Sequence, residues 1–506
     1  MAAIDLSKRK TKVSLFSATL LSATCMVGSG WLFSAQLSAK EAGNWAFLAW
    51  ILAALLVGAV GMCLSVVVSL YPFSGSTTRS SALSHNNIFG MPFAFANWFG
   101  IMVTVATEAQ ATTQYLSAAV GSNLLIENHA LTVTGKLLAL LILFLYLVIN
   151  YYGIKLLARV NNVVTVLKIF TPLFTVIVLA IAAFDHSGHS QNFALQSDKD
   201  YGFGSAIMAI IGAGLIYSYN GFQTSVAYAS EIENPKRNVP LSILISIGIV
   251  MLLYMALQYA FMAAVPHEML VQNGGWAGLN FSSPLVNLSV LLGINFLMIL
   301  LLADSVVSPS GTGYAYLGAA SRMLYAMAAE GQMPRWIAHL CPVYNFSKRS
   351  MLINWVLVAL VLWNAKSWAS LMVVVTGYHL IGYMAAPVSM GAIAPKTKWA
   401  GLIVFTLLGL IMLTIPTHDL LVMNISLTVV IAIYLAIQNK VGIMKLLAFS
   451  LPFLVYLWLI YLVPDIWFVG ILSVVFYLLI TYTPYVAYCK TNNTNEVLET
   501  GEMVKA

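Results

Sequence analysis

The hydrophobic positions of this chain fall in long blocks separated by short polar links. Helices that bury one face in a soluble core would instead show apolar residues every three or four positions. Most blocks are long enough to cross a hydrocarbon layer of about 30 Å as an α-helix, which takes about 20 apolar residues. In chain order they predict spans near 13–38, 44–70, 89–118, 137–153, 160–184, 202–230, 240–264, 285–320, 350–365, 368–392, 400–415, 420–437, 444–463 and 465–488, about fourteen in all. Blocks of this length argue against a barrel, whose strands are short and alternate.

Two blocks are interrupted. The first, Thr19 to Leu37, is broken at its centre by Gly28-Ser29-Gly30. A helix broken there frees backbone N–H groups that hydrocarbon cannot satisfy, so the break must face protein or a water-filled cavity. The sixth block changes character at Tyr217-Ser218-Tyr219-Asn220-Gly221, where aromatic and small polar residues replace the aliphatic run. The breaks at Gly30 and Gly221 lie 191 positions apart, on spans that cross in opposite directions, and the acids Glu108 and Asp304 lie 196 apart. These offsets predict two halves of five spans in opposite orientations.

Composition agrees with the block pattern: 60% of the 506 residues are hydrophobic, 8% are charged, and the mean hydropathy is +0.88. Such a chain is an all-α polytopic membrane protein. With an N-terminus inside the cell, nineteen of the 24 Lys and Arg residues fall on the inner side and four on the outer, while Lys168 falls within a span. That asymmetry predicts cytoplasmic N- and C-termini in the cytoplasmic (inner) membrane. It also accounts for the net charge of +7 without nucleic acid as a partner. Lys8, Arg9, Lys10 and Lys12 precede the first block, which is too long for a signal-peptide core and is expected to stay attached. Cys25, Cys63, Cys341 and Cys489 have no metal-site spacing, and neither metal nor cofactor is expected.

Charges inside spans carry the candidate chemistry. Glu108 lies in VTVATEAQATTQYL among four threonines. An ionisable group at such depth costs about 2.5–3.5 kcal/mol on insertion scales, so it either serves a function or sits neutral and hydrogen-bonded in the bundle. Lys168 lies about two turns into the fifth span, where it either snorkels to the interface or presents a cation to the interior. Asp304 adjoins the polar, kinked run Ser305 to Gly313 and can bind a substrate amine, carry a proton or pair with Lys168. His379 in the tenth span can titrate or serve as a hydrogen-bonded interior histidine. Arg79 can tie its loop to a neighbour, although a connection held in place by its charge explains Arg79 and His85 equally well.

The motifs resemble a known family. Met26-Val27-Gly28-Ser29-Gly30-Trp31-Leu32-Phe33 is similar to the glycine-rich first-helix motif of the amino acid–polyamine–organocation (APC) superfamily. Tyr217 to Phe222, Ala229-Ser230-Glu231 and Asn234 to Pro240 resemble its sixth-helix signature and following loop. Ser321-Arg322 through Gly331-Gln332-Met333-Pro334 resembles the loop after span eight. Within the group, Gly28-Ser29, Ser84-His85, Glu108, Asp304 and the spans beyond ten are most like bacterial aspartate:proton symporters.

The resemblance implies a five-plus-five inverted repeat (LeuT-like) at 13–392, with helices one and six broken. Four accessory spans follow at 393–488, between polar tails at 1–12 and 489–506. It implies substrate contacts at Val27, Ser29, Gly30 and Trp31, where N–H groups meet a carboxylate, and at Tyr217, Ser218 and Asn220, where carbonyls meet an α-amine. Tyr217 is the implied gate. Helix-end electrostatics favours the same arrangement, although the glycines can also simply permit close helix packing, and Tyr217 and Tyr219 can be packing aromatics. Lys168 matches a lysine that replaces a sodium ion in proton-coupled relatives. Gln223 stands where many members carry a glutamate, and a glutamine cannot titrate. Coupling therefore falls to Lys168, Glu108 and Asp304.

The expected activity is secondary, proton-coupled and sodium-independent transport of an amino acid, with exchange or a non-transporting sensor as alternatives. The partners are the amino acid, protons and the bilayer. Glu108 and Asp304 would repel an acidic substrate unless protonated, which leaves the amino acid open. No HExxH, GxSxG or GxxxxGK[ST] motif occurs, so neither an enzyme nor direct ATP drive is expected.

Overall fold

The computed structural model describes residues 13–70, 76–120, 122–127, 130–152, 154–185, 189–195, 199–229, 232–341, 347–437 and 443–491. The tail through residue 12, Ser230 and Glu231 of the loop motif, and the tail from residue 492 lie outside the described residues.

The first predicted span forms two helices, α1 (Leu15–Met26) and α2 (Gly30–Ala42), with a gap between them. Ser14 starts α1 by accepting from the Ser17 N–H. Next come α3 (Ala46–Leu70), the short polar α4 (Ser76–Ser84) and α5 (Asn87–Val120), the most deeply buried of the long helices. α6 (Val133–Tyr152) and α7 (Ile154–Asp185) complete the first five predicted spans.

The sixth span is in three pieces: α8 (Phe203–Gly212), α9 (Leu215–Ser218) and α10 (Thr224–Ala227). α11 (Pro235–Ala264) opens on a proline, whose missing N–H costs nothing at a helix start. The eighth block, expected to run unbroken over 285–320, divides into α12 (Pro284–Leu291) and α13 (Asn295–Ala329) at a turn through Gly293, φ +69°. α14 (Lys348–Asn364), α15 (Trp368–Tyr383) and α16 (Ala385–Ile393) follow. The chain ends in α17 (Lys398–Met412), α18 (Thr417–Ile437), α19 (Ile443–Leu462), α20 (Ile466–Ile480) and α21 (Thr483–Thr491), the last two bent by 55°.

Nine helical stretches among the described residues are long and apolar enough to cross a membrane, ten if the bent pair counts as one span. The helices α1 and α8 fall short of that length because each is part of an interrupted block.

The polar residues are turned inward. Thr104, Thr107, Glu108, Gln110, Thr112 and Thr113 on α5 are all buried, while Leu141 and Phe144 on α6 and Ile177 and Ile181 on α7 are exposed. A soluble domain has the opposite arrangement; here the outer surface suits lipid. α5 packs against α13 and α15, α1 against α11, and α7 against both α11 and α13. The helices after α16 buttress this core. Phe453 of α19 packs on Phe93 of α5 with ring centres 4.3 Å apart, and the Ser426 hydroxyl of α18 bonds that of Tyr378.

Candidate functional site

The site is built around the gap between α1 and α2. Val27 leaves helical geometry (φ −85°, ψ 83°), and helix resumes at Gly30. The Ser29 N–H therefore has no helical acceptor and turns to the Glu108 carboxylate of α5, 2.9 Å from Oε2 and 3.3 Å from Oε1. The Tyr217 hydroxyl of α9 donates to Oε1 of the same carboxylate at 2.7 Å and lies 3.0 Å from Ser29 Oγ. Residues 79 and 188 positions from Ser29 thus close its break. Gly28 leaves room for the carboxylate, since a Cβ there would stand 2.7 Å from Glu108 Oε1. At Gly30 a Cβ would meet Ser218 Oγ at 2.6 Å, so this glycine also permits the close packing that was its alternative reading.

The second break closes on itself. The Gln223 side chain accepts from the Gly221 N–H at 3.1 Å and donates to Asn220 Oδ1 at 2.8 Å. Gly221 has φ +121°, and a Cβ there would lie 2.6 Å from the Cys25 carbonyl carbon, so only glycine lets this segment rest on the end of α1. The Tyr254 hydroxyl of α11 lies 3.0 Å from the Met26 carbonyl and 3.3 Å from the Ser218 carbonyl, tying the two breaks together. Asn220 Nδ2 is buried without a hydrogen-bond partner, a donor with its capacity unused.

Between the breaks lies a small, narrow cavity. Gly28, Gly30, Glu108, Tyr217, Asn220 and Thr312 contribute to its wall. Val27, Ser29, Trp31 and Ser218 are buried but do not line the cavity, and the Ser218 hydroxyl faces that of Ser34 at 2.8 Å.

Lys168 does not snorkel. It is buried, and its ammonium donates to Thr312 Oγ1 at 2.6 Å, on the α13 side of the cavity. Asp304 stands apart: both carboxylate oxygens are buried without a hydrogen-bond partner, and it is not part of the cavity wall. No ion pair joins it to Lys168 among the described residues; Lys168 and Thr171 of α7 are its polar neighbours.

Aromatic rings roof the site. Trp368, the first residue of α15, donates from Nε1 to Ser29 Oγ at 3.0 Å, stacks on Phe33 at 4.3 Å and meets Tyr217 edge-on at 5.6 Å. The sequence reading missed Trp368, since a tryptophan at the start of a span reads as an interfacial anchor. Tyr254 was missed for want of any break or charge nearby.

The remaining candidates lie elsewhere. His379 is buried with Nε2 unpartnered, stacked on Tyr383. Arg79 pairs with Glu330 at the end of α13. His85 Nε2 contacts the Ile480 carbonyl of α20 at 2.8 Å, so the segment after α4 reaches the C-terminal helices.

Known proteins place this architecture. Residues 13–498 match the amino acid permease family. The chain is 31% identical over 385 residues to the glutamate/serine transporter AimA of Bacillus subtilis, covering 75% of this chain and 70% of that protein. It is 27% identical over 386 residues to the aspartate-proton symporter of the same species (76% and 73%) and 22% identical over 395 residues to its methylthioribose transporter (76% and 78%). These relatives are named as transporters, not enzymes. With the family matched over nearly its whole length, the chain belongs to the amino acid permeases of the APC superfamily.

Proposed function

We propose that this permease is a proton-coupled, sodium-independent secondary transporter of a small or acidic amino acid, acting in the cytoplasmic membrane with both termini in the cytoplasm. The observation that carries the reading is the Ser29 N–H at the helix break, aimed at a carboxylate beside a cavity. A half-helix start stabilises an anion.

On this reading the core at 13–392 is a five-plus-five inverted repeat and 393–488 are accessory spans. The substrate carboxylate binds at Ser29, Gly30 and Trp31, with Val27 setting the turn before them. The α-amine meets carbonyls at Tyr217, Ser218 and Asn220, and Tyr217 acts as the gate beneath Trp368. Lys168 supplies a fixed cation on Thr312, which supports sodium independence. Glu108, Asp304 and Lys168 are the coupling groups. The glutamate/serine and aspartate activities named for the relatives support serine, glutamate and aspartate as substrates.

The test is uptake into proteoliposomes of labelled serine, glutamate, aspartate and leucine, with and without a pH gradient or sodium. Accumulation driven by an inward proton gradient and indifferent to sodium is expected. Uptake that needs sodium would overturn the coupling, and uptake only against preloaded amino acid would make the protein an exchanger.

A further inference from the structure

The anion expected at the first helix break is already there, and it belongs to the protein. Glu108 takes the Ser29 N–H on both oxygens and the Tyr217 hydroxyl on one. It sits so close that even a methyl group on Gly28 would strike Oε1. A second carboxylate cannot share these donors: each has a single hydrogen, the cavity is narrow, and two anions in contact repel.

We infer that Glu108 is the resident ligand of the break, and that an amino acid binds only by displacing its carboxylate, which takes up a proton as it leaves. This rests on the proposed transport function and deepens it by assigning the coupling step. Two hydrogen bonds, from the Ser29 N–H and the Tyr217 hydroxyl, pass from Glu108 to the substrate carboxylate. A proton from solvent forms one O–H bond on the displaced side chain. One carboxylate replaces another at the break, and the proton taken up leaves the site one unit of charge more positive than before, since the zwitterion's own carboxylate and ammonium cancel.

The groups around Glu108 favour uptake of a proton over formation of a new ion pair. Around it stand the thiol of Cys25 on α1 and the phenols of Tyr146 on α6, Tyr217 on α9, Tyr254 on α11 and Tyr316 on α13, and Lys168 of α7 is the cation among them. Lys168 is held by Thr312 Oγ1 on α13. A displaced Glu108 that stays anionic would have to draw that ammonium away.

The experiment measures binding of tritiated L-serine and L-glutamate to the full-length protein in lipid nanodiscs from pH 5.5 to 8.5, with proton uptake read in weak buffer. For the wild type, affinity is expected to fall with rising pH, approaching about tenfold per unit, with up to one proton taken up per amino acid bound. Glu108→Gln, which keeps the shape but has no charge to displace, is expected to bind more tightly at pH 8, with a flat profile and no proton uptake. Glu108→Ala, which removes the competing oxygens altogether, should give the same flat profile.

Wild-type affinity that is flat across this range and matched by Glu108→Gln would overturn the inference while leaving amino acid transport intact. So would loss of binding in a monodisperse Glu108→Gln protein, because the carboxylate would then hold the substrate rather than compete with it. If neither wild type nor variant binds serine or glutamate, the transport reading for these substrates fails.

Discussion

The two helix breaks solve one problem in different ways. At 27–29 the chain leaves a backbone N–H without an internal acceptor, and Glu108 on α5 meets it, held in turn by Tyr217 on α9. At 219–223 the chain supplies its own acceptor, with Gln223 reaching back to Gly221 and to Asn220. The first break is closed by an ionisable group on another helix and can open when that group changes charge. The second is closed by an amide with no charge to change, so a change of protonation does not open it. On the proposed function, one end of the substrate meets a partner that yields and the other a partner that stays.

Substitutions at four positions test this contrast, in order of expected effect. Gly221→Ala strikes the rigid break: its φ of +121° disfavours a side chain, and the new Cβ would meet α1 backbone at 2.6 Å. Because neither side can yield, loss of the monodisperse species in size-exclusion chromatography is expected. Lys168→Ala strikes the yielding side by removing the ammonium from Thr312 and should abolish or uncouple uptake; coupled uptake at the wild-type rate would remove the lysine from the mechanism.

Trp368→Ala removes the ring that stacks on Phe33 and bonds Ser29 Oγ. It should raise the Michaelis constant about tenfold, with Trp368→Phe intermediate because the stack survives and the hydrogen bond does not. Gln223→Leu leaves the Gly221 N–H without its acceptor and should lower thermal stability by about 1–2 kcal/mol. Since Gln223 does not titrate, the pH dependence of uptake should not change. A changed pH profile in this variant would show that the second break is not the fixed one.

Much of this was legible in the residue pattern, and the exceptions are instructive. Both breaks stood out because Gly and small polar residues interrupt apolar runs in which nothing else satisfies a backbone N–H. The turn at Gly293 was missed, since a single glycine in the apolar run SVLLGINFLMILL looks like a tolerated one. Lys168 was flagged by depth, but its inward direction depends on the rotation of α7 against α13, which spacing along one helix does not report. Trp368 was hidden because its role is defined by Phe33, 335 positions away.

The amino-acid sequence alone determined most of the helices, the breaks at Gly28 to Gly30 and at Tyr217 to Gly221, and which ionisable groups are placed in the membrane. These are local matters, set by side-chain transfer energies and by backbone groups that lipid leaves unsatisfied. The tertiary structure alone decided the pairings: Glu108 on the Ser29 N–H, Lys168 on Thr312, and Asp304 with no hydrogen-bond partner. A hydrogen bond forms or is lost within a few tenths of an ångström. That distance is fixed by how whole helices pack, not by the order of residues along any one of them.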